Sequence, residues 1–290
     1  MRTAFVSLLK AQEAVDLTRQ IYDIRRSNLE LITLRYESGL EHKGALLTAQ
    51  ANLAQAVFDT AQNNRALEAV QRALAKELGR TRFSPVRVDG AFEVSDTVLE
   101  KPDFDALAQH NPQIGKSAAQ RNAASFGVKS AEASFYPQLS ARGGADRTSG
   151  HWPPDNDRWN AGIALTLPIF EGGLRVAEVA QAKALLNQAV ESERSIKDGI
   201  VVALEQTWAA LQDALETVGV QEKFLNAAEE RAKIAEAQYS TGFITFDNWI
   251  IIINDLVSAK SSFLDTRANA LFAEAEWIRA KGETLEYAHK

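Results

Sequence analysis

The stretch from Ser134 to Gly173, SFYPQLSARGGADRTSGHWPPDNDRWNAGIALTLPIFEGG, is the part of the chain whose pattern is not helical. It contains two limbs, 138–147 and 159–167, in which apolar residues alternate with small or polar ones, the period of a β-strand. Between the limbs, Thr148 to Arg158 holds a glycine, two prolines and Asp155, Asn156 and Asp157, a composition typical of a solvated loop. The stretch therefore predicts a β-hairpin.

The second limb carries one apolar face, formed by Trp159, Ala161, Ile163, Leu165 and Leu167. Aromatic residues stand at both ends of the hairpin, Phe135, Tyr136 and Phe170 at the base and Trp152 and Trp159 near the tip. Transmembrane strands are about 9–11 residues long, and aromatic girdles mark both interfaces of an outer-membrane barrel. An ordinary soluble hairpin with one buried face fits the same residues. Either interpretation requires strands from elsewhere, because two strands alone are marginally stable.

Composition excludes several classes of function. The chain has 290 residues, a net charge of −6 and no cysteine. The absence of a basic stripe argues against nucleic acid, and the absence of cysteine excludes disulfides, cysteine-ligated zinc and thiol catalysis. The longest dense apolar run, Trp249 to Ile253, is far shorter than the roughly 20 residues of a transmembrane helix. The first nine residues lack the length and cleavage site of a signal peptide and predict the start of a helix.

Long helical patterns fill the rest of the chain. Helices are predicted over 3–38 and 43–79, followed by an extended segment over 81–100. Asp103 and Asn111-Pro112 predict two helix starts, since Asn caps a helix and Pro occupies its first turn. A pattern of nearly seventy residues then runs from Gly173 to Thr241, with apolar residues at the spacing of a coiled coil there and in the helix that follows.

The two helical regions are related by an internal repeat. Shifted by 203 positions, Phe5 falls on Trp208, Tyr36 on Tyr239 and Gly39 on Gly242. Gly79 falls likewise on Gly282. The aligned Tyr-x-x-Gly turns, each followed forty residues later by glycine, indicate a duplication.

No catalytic or cofactor motif is found. The four histidines are scattered, and no phosphate-binding loop, dinucleotide fingerprint or nucleophile elbow can be identified. The glycine pairs Gly143-Gly144 and Gly172-Gly173 fit a strand and a strand-to-helix hinge. The sequence predicts a protein that is not an enzyme and holds no cofactor or metal.

Four motifs together carry a resemblance to a known family. They are Asn111-Pro112 opening a helix, Tyr136-Pro137-Gln138-Leu139 opening a strand, Leu167 to Gly173 closing the hairpin into a long helix, and the two Tyr-x-x-Gly turns. In this order and at these separations the chain resembles the outer-membrane efflux protein family, the TolC-like exit ducts of Gram-negative efflux pumps and type I secretion systems.

The resemblance implies a mainly α fold in which long antiparallel coiled-coil helices accompany a β-hairpin that contributes to a trimeric outer-membrane β-barrel. In the homotrimer each protomer gives four strands to a shared barrel of twelve. The helices form a tunnel in the periplasm, and the duct is passive, exporting small molecules or proteins. The implied partners are a periplasmic adaptor protein, an inner-membrane pump and outer-membrane lipid, without nucleic acid and without a cofactor.

The resemblance also divides the chain into segments. These are a first-repeat helical hairpin at 1–80, an equatorial segment at 81–101, a helix of the second repeat at 102–133, the membrane-spanning hairpin at 134–170, the second-repeat long helix and helical hairpin at 171–283, and a C-terminal tail at 284–290.

Four sets of site residues follow from the resemblance. Tyr36, Gly39, Tyr239 and Gly242 are implied at the periplasmic tip, where the family meets its adaptor. Acidic rings nine and twelve residues after the second tyrosine commonly narrow this end, and here those places hold Asn248 and Ile251, with Asp247 next door. The lipid-facing strand residues are Trp159, Ile163, Leu165 and Leu167, and the strand-to-helix turn comprises Pro168, Gly172 and Gly173.

Compared with the family, we expect the first repeat of this sequence to lack the opening helix, the first hairpin, most of the descending helix and the signal peptide. Because the offset of 203 places the counterpart of the hairpin before Met1, we expect about a hundred further residues upstream in the mature protein.

The alternative interpretation is a soluble coiled-coil adaptor or scaffold whose hairpin packs on its own helices. A channel needs detergent and forms a trimer, whereas a scaffold stays soluble without it.

Overall fold

The computed structural model describes residues 1–92, 94, 100–148, 152 and 156–283. The predicted C-terminal tail, 284–290, lies outside the described residues. In chain order the elements are α1 (Arg2–Glu37), α2 (Lys43–Glu77), α3 (Phe104–Gln109), α4 (Pro112–Ala133), β1 (Gln138–Thr148), β2 (Asn156–Thr166), α5 (Leu174–Ser240) and α6 (Phe246–Lys281). The chain forms two compact units, one of 1–102 with 203–290 and one of 103–202. The predicted mainly α fold with one β-hairpin is confirmed.

The first unit is built from long helices. Helix α1 packs against both α2 and α6. The main core of the first unit contains small and large apolar side chains from all the helices of the unit. They are Ile32, Ala45, Ala49, Ala228, Ala232, Ala235, Tyr239, Phe246, Trp249, Ile253 and Leu256. The many alanines allow close approach of the backbones, as the sequence predicts. Among the described residues, no helix has both the length and the apolar character needed to cross a membrane.

The internal repeat is visible in the helix boundaries. Helix α1 ends at Glu37 and α5 ends at Ser240, while α2 begins at Lys43 and α6 at Phe246, so both pairs of boundaries differ by 203 positions. Gly79 and Gly282, which end the two hairpins, both have positive φ, 66° and 75°. The same turn chemistry therefore recurs in both copies.

An extended segment lies beside α1 and α2, as predicted. The Gln12 side chain accepts a hydrogen bond from the Val88 backbone N–H and donates one to the Val88 carbonyl, both at 2.9 Å. Gln71 donates to the Val86 carbonyl at 3.0 Å, and Phe92 is buried against α1 and α6. Residues 93 and 95–99 of this segment are outside the described part.

The second unit starts with two capped helices, as the sequence predicts. Asp103 accepts from the backbone N–H of Ala106 at 3.1 Å and begins α3. Asn111 Oδ1 accepts from the backbone N–H of Gln113 at 3.0 Å, and Pro112 is the first residue of α4. An ion pair between Arg121 and Glu193, at 3.1 Å, joins α4 to the first part of α5.

Strands β1 and β2 pair antiparallel over eleven rungs, from Gln138 opposite Thr166 to Thr148 opposite Asn156. The expectation of a loop from Thr148 to Arg158 is wrong at both ends, because Thr148 belongs to β1 and 156–158 belong to β2, where the ladder continues through polar rungs beyond the apolar alternation. Arg147 and Asp157 face each other there and form an ion pair, with Nη2 and Oδ2 3.1 Å apart. Within the rest of the predicted loop, Trp152 is described and exposed, and 149–151 and 153–155 lie outside the described residues.

Candidate functional site

The hairpin presents one continuous apolar face. In the register of the ladder Leu165 lies opposite Leu139, Ile163 opposite Ala141 and Trp159 opposite Ala145. Residues directly opposite each other point to the same side of an antiparallel pair. The large side chains of this face are exposed, Ile163 by 78%. The apolar side predicted from the second strand therefore spans both strands, and none of the described residues of the chain covers it.

The other face of the hairpin is polar. Its rungs include Gln138 with Thr166, Ser140 with Ala164 and Asp146 with Arg158. The apolar rungs extend over six residue steps from Leu139 to Ala145, about 20 Å of strand at 3.4 Å per residue. A band of this height, apolar on one side and polar on the other, matches the roughly 25 Å apolar belt of outer-membrane strands. The Arg147–Asp157 ion pair ends the band at the tip.

The strand-to-helix turn brings exposed apolar residues together at the base of the hairpin. Ile169 and Phe170 are almost fully exposed, directly after Pro168. Gly172 and Gly173 have φ of 61° and 86°, which an L side chain adopts only with strain, and α5 begins at the next residue. The structure therefore places the three predicted turn residues between β2 and α5.

The two Tyr-x-x-Gly turns have the same backbone. Gly39 and Gly242 have φ of 72° and 80°. After the first glycine, Leu40 N–H donates to the Arg35 carbonyl at 2.8 Å, and after the second, Phe243 N–H donates to the Gln238 carbonyl at 2.8 Å. This is the pattern of a Schellman motif, in which a glycine in the left-handed region ends a helix.

The two tyrosines of these turns have different surroundings. Tyr239 is 1% exposed and stacks on Trp249 with ring centroids 4.6 Å apart, whereas Tyr36 is 38% exposed. The Tyr239 hydroxyl donates to Glu41 Oε2 at 2.6 Å, so the second turn is tied to the first. Burial and the Glu41 carboxylate raise the pKa of Tyr239, because both disfavour its ionised form.

Arg35 also contacts Tyr239, through both the ring and the backbone carbonyl. Its guanidinium lies 4.6 Å from the centre of the Tyr239 ring, and Nη1 donates to the Tyr239 carbonyl at 3.2 Å, at the C-terminal end of α5. A cation is favoured at that end of a helix. Sequence reasoning missed Arg35, Glu41 and Trp249 as members of the site. Arg35 and Glu41 flank the first turn motif, and Trp249 has the coiled-coil spacing of the helix after the second.

The candidate constriction residues lie on the first turns of α6. Thr245 caps this helix, its Oγ1 accepting from the Asn248 backbone N–H at 3.4 Å. Asp247, Asn248 and Ile251 are all exposed. Trp249, Ile253 and Leu256, on the other side of the helix, are buried. The three candidates therefore point away from the protomer's own core. Within the described part of the chain, no group of His, Cys, Asp or Glu residues is arranged to hold a metal ion.

Comparison with known proteins decides the family. The sequence model described as outer membrane efflux protein matches residues 104–285, more than half of the chain. The chain belongs to the outer membrane efflux protein family. Membership confirms the predicted resemblance and the outer-membrane location, and it overturns the alternative of a soluble adaptor or scaffold.

Similar proteins agree with the family match. The chain is 21% identical over 92% of its length to the outer membrane efflux protein BepC of Brucella suis. It is 26% identical over 96% of its length to the outer membrane protein OprJ of Pseudomonas aeruginosa. It spans 64% of the first relative and 60% of the second.

A solved channel shares the fold. The open-state structure of the Neisseria gonorrhoeae MtrE outer membrane channel matches 97% of the chain and 64% of its own length, with a TM-score of 0.79 and 18% identity. At this identity the likeness concerns the fold. The outer membrane efflux proteins are a family of channel proteins rather than enzymes.

Proposed function

We propose that the chain is the outer-membrane component of a tripartite efflux or type I secretion system and serves as a passive exit duct for small molecules or proteins. It acts as a homotrimer with a periplasmic adaptor protein and an inner-membrane pump. In this proposal the hairpin 134–170 spans the membrane, and the helical segments 1–80 and 171–283 form the periplasmic tunnel, with 81–101 at its equator.

The observation that carries the proposal is the two-faced hairpin. A band of exposed Leu, Ile and Trp side chains on one side and a polar row on the other fits a strand pair between lipid and an aqueous lumen. In water an exposed apolar face of this size is unfavourable, so the face requires an apolar environment. Lipid contact of Trp159, Ile163, Leu165 and Leu167 follows from this assignment.

The tips of the helical hairpins support an adaptor contact. Each Tyr-x-x-Gly turn is followed by an exposed apolar side chain, Leu40 after Gly39 and Phe243 after Gly242. The two are related by the offset of 203, and Phe243 is 85% exposed. Apolar side chains held on rigid turns suit insertion into a partner's groove. We propose that Tyr36, Gly39, Tyr239 and Gly242 shape these turns for the adaptor.

Transport through the duct requires no chemistry from this chain. The inner-membrane pump supplies the free energy, and the duct contributes a pore whose narrowest part, in our proposal, is lined by Asn248 and Ile251 near the tip. Asp247 lies beside them.

The function is tested in the bacterium that carries the gene. We expect deletion to raise the intracellular accumulation of a fluorescent pump substrate, or to abolish secretion of a protein substrate, and the wild-type gene to restore export. A Leu165→Arg gene should fail to restore it and Thr166→Arg should succeed, with the protein recovered from the outer-membrane fraction. Unchanged export of dyes and secreted proteins in the deletion strain would contradict the proposal.

A further inference from the structure

The polar face of the hairpin carries an arginine at its centre. Arg142 lies opposite Gly162 in the register of the ladder, on the side away from the apolar rungs. Those apolar rungs run from Leu139 to Ala145, so Arg142 stands at the middle of the apolar band. An arginine at this height of a membrane strand is unfavourable against lipid and is accommodated in a lumen. In the proposed function, the Arg142 side chain therefore points into the lumen near the membrane midplane.

The neighbours of Arg142 on this face leave its guanidinium open. A side chain at Gly162 would find open space, with no neighbouring atom within 4 Å of its Cβ. Along β1 the next residues on the same face are Ser140 and Gly144, and neutral Asn160 lies opposite Gly144. Among the residues that the structure describes, none forms an ion pair or a hydrogen bond with the exposed Arg142 side chain.

The carboxylate of Asp146, on the same face, does not neutralise Arg142. Asp146 is four residues further along β1, about 14 Å away at 3.4 Å per residue. The Debye length is about 8 Å at physiological ionic strength, so most of the attraction between the two charges is screened. Asp146 also lies opposite Arg158, whose charge compensates it. The polar face formed by 138–148 and 156–166 therefore has one uncompensated charge, and that charge is positive.

We infer that Arg142 makes the duct selective for anions, so that solutes with a carboxylate or phosphate group pass the barrel more readily than cations. In an assembly of identical copies each copy places its Arg142 at the same height, and a ring of arginines favours anions. The guanidinium donors also match the oxygen atoms of carboxylate and phosphate groups. This selectivity rests on the proposed function, because the polar face must line a water-filled lumen, and it defines the class of cargo.

Reversal potentials in a planar lipid bilayer measure the selectivity, with chloride as the probe anion. The channel is purified in detergent from the bacterium that carries the gene and is placed between two potassium chloride solutions of different concentration. We expect chloride to permeate about two to ten times faster than potassium at about 0.01 M salt, where the Debye length of about 30 Å lets the charge act across the lumen. At about 1 M salt the Debye length is about 3 Å, and the preference should disappear.

Substitutions on the polar face separate the charge of Arg142 from its packing. Arg142→Gln should abolish the preference for chloride, and Arg142→Lys, which keeps the charge, should retain it. Gly162→Asp places a carboxylate opposite the intact arginine and should also abolish the preference, since the open space there admits the side chain. The matched control is Arg147→Gln, which removes the same charge from the other face of β1 and should leave the selectivity unchanged.

A cysteine at the same position allows the comparison within a single channel. The chain has no cysteine of its own, so Arg142→Cys carries its only thiol. A water-soluble, positively charged thiol reagent should restore the preference for chloride, and a negatively charged reagent should produce a preference for potassium.

The possible failures are distinguishable. A conducting wild-type channel without a preference for chloride at low salt would overturn the inferred selectivity and leave the duct proposal standing. An Arg142→Gln channel that keeps the preference, or an Arg142→Cys channel that neither reagent changes, would do the same. Absence of any conductance from the purified wild-type protein would overturn both.

Discussion

The Tyr239 hydroxyl donates a hydrogen bond of 2.6 Å to Glu41 Oε2, although the two residues are 198 positions apart. Tyr239 stands at the end of α5, and Glu41 stands in the turn between α1 and α2. The contact ties the tips of the two duplicated helical hairpins together. Because Tyr239 is buried and Glu41 carries a charge, this bond belongs to the stronger class of protein hydrogen bonds.

Tyr239→Phe removes this hydrogen bond and keeps the stacking on Trp249. We expect the free energy of unfolding to fall by about 1.5–3 kcal/mol, the contribution of a hydrogen bond to a charged group. The matched control is Tyr36→Phe, at the equivalent and more exposed position of the first repeat, which should change stability by less than about 0.5 kcal/mol. Denaturant unfolding followed by circular dichroism measures both, and equal losses would contradict the assignment.

The raised pKa of Tyr239 predicts a loss of stability at alkaline pH. The folded state favours the neutral phenol, so its contribution is complete below the unfolded pKa of about 10. The contribution is lost as pH rises from there toward the higher folded pKa, because the unfolded state ionises first. We expect the unfolding free energy of the wild-type protein to fall more steeply above about pH 10 than that of Tyr239→Phe. Parallel curves for the two proteins would show that Tyr239 does not titrate abnormally.

Cation block tests the placement of the constriction. In the proposed constriction, a three-fold ring of Asn248 and Ile251 would carry no charge, whereas a ring of carboxylates attracts multivalent cations. We expect the assembled channel to conduct with little block by divalent or trivalent cations, and Asn248→Asp to create such block. Asp247→Asn measures separately what the neighbouring candidate Asp247, about one helical turn before Ile251, contributes to cation block. Single-channel recordings that show tight block of the unmodified channel, or none after Asn248→Asp, would refute the placement.

Local rules account for the elements of this fold. The caps at Asp103 and Asn111, the glycines after each tyrosine and the alternation in the second strand are short-range signals, and the structure has helices and strands where they predict them. The extent of β2 could not be predicted, since Asn156 and Asp157 join it only by pairing with β1. Their polar side chains look like a loop until the partner strand is known.

Contacts between the two repeats could not be predicted from the sequence, because they too depend on a partner that is distant along the chain. The two Tyr-x-x-Gly motifs are equivalent as sequence, and only packing distinguishes the buried Tyr239 from the exposed Tyr36. Glu41 has a charge that fits any solvated turn, so its pairing with Tyr239 required the relative position of two hairpins. Periodicity predicts which face of a helix is apolar. Only the tertiary structure shows which element packs against that face.

Charge on the hairpin distinguishes its two faces. Leu165 belongs to the apolar face and Thr166 to the polar one, although they are neighbours in β2. An arginine facing lipid costs about 2–4 kcal/mol near the membrane midplane and much less in the lumen. We therefore expect Leu165→Arg to impair insertion into outer-membrane vesicles far more than Thr166→Arg. Equal yields of inserted protein would mean that Leu165 does not face lipid.

The central claim is that one face of the hairpin contacts lipid and the other contacts water. Because the chain has no cysteine, a nitroxide label can be attached to single cysteines at Ile163, Ala164, Leu165 and Thr166 in turn, in the protein reconstituted into vesicles. We predict high collision rates with lipid-soluble oxygen at Ile163 and Leu165, and with a water-soluble nickel reagent at Ala164 and Thr166. Collision rates without this alternation, or with oxygen favoured at Ala164 and Thr166, would contradict the account.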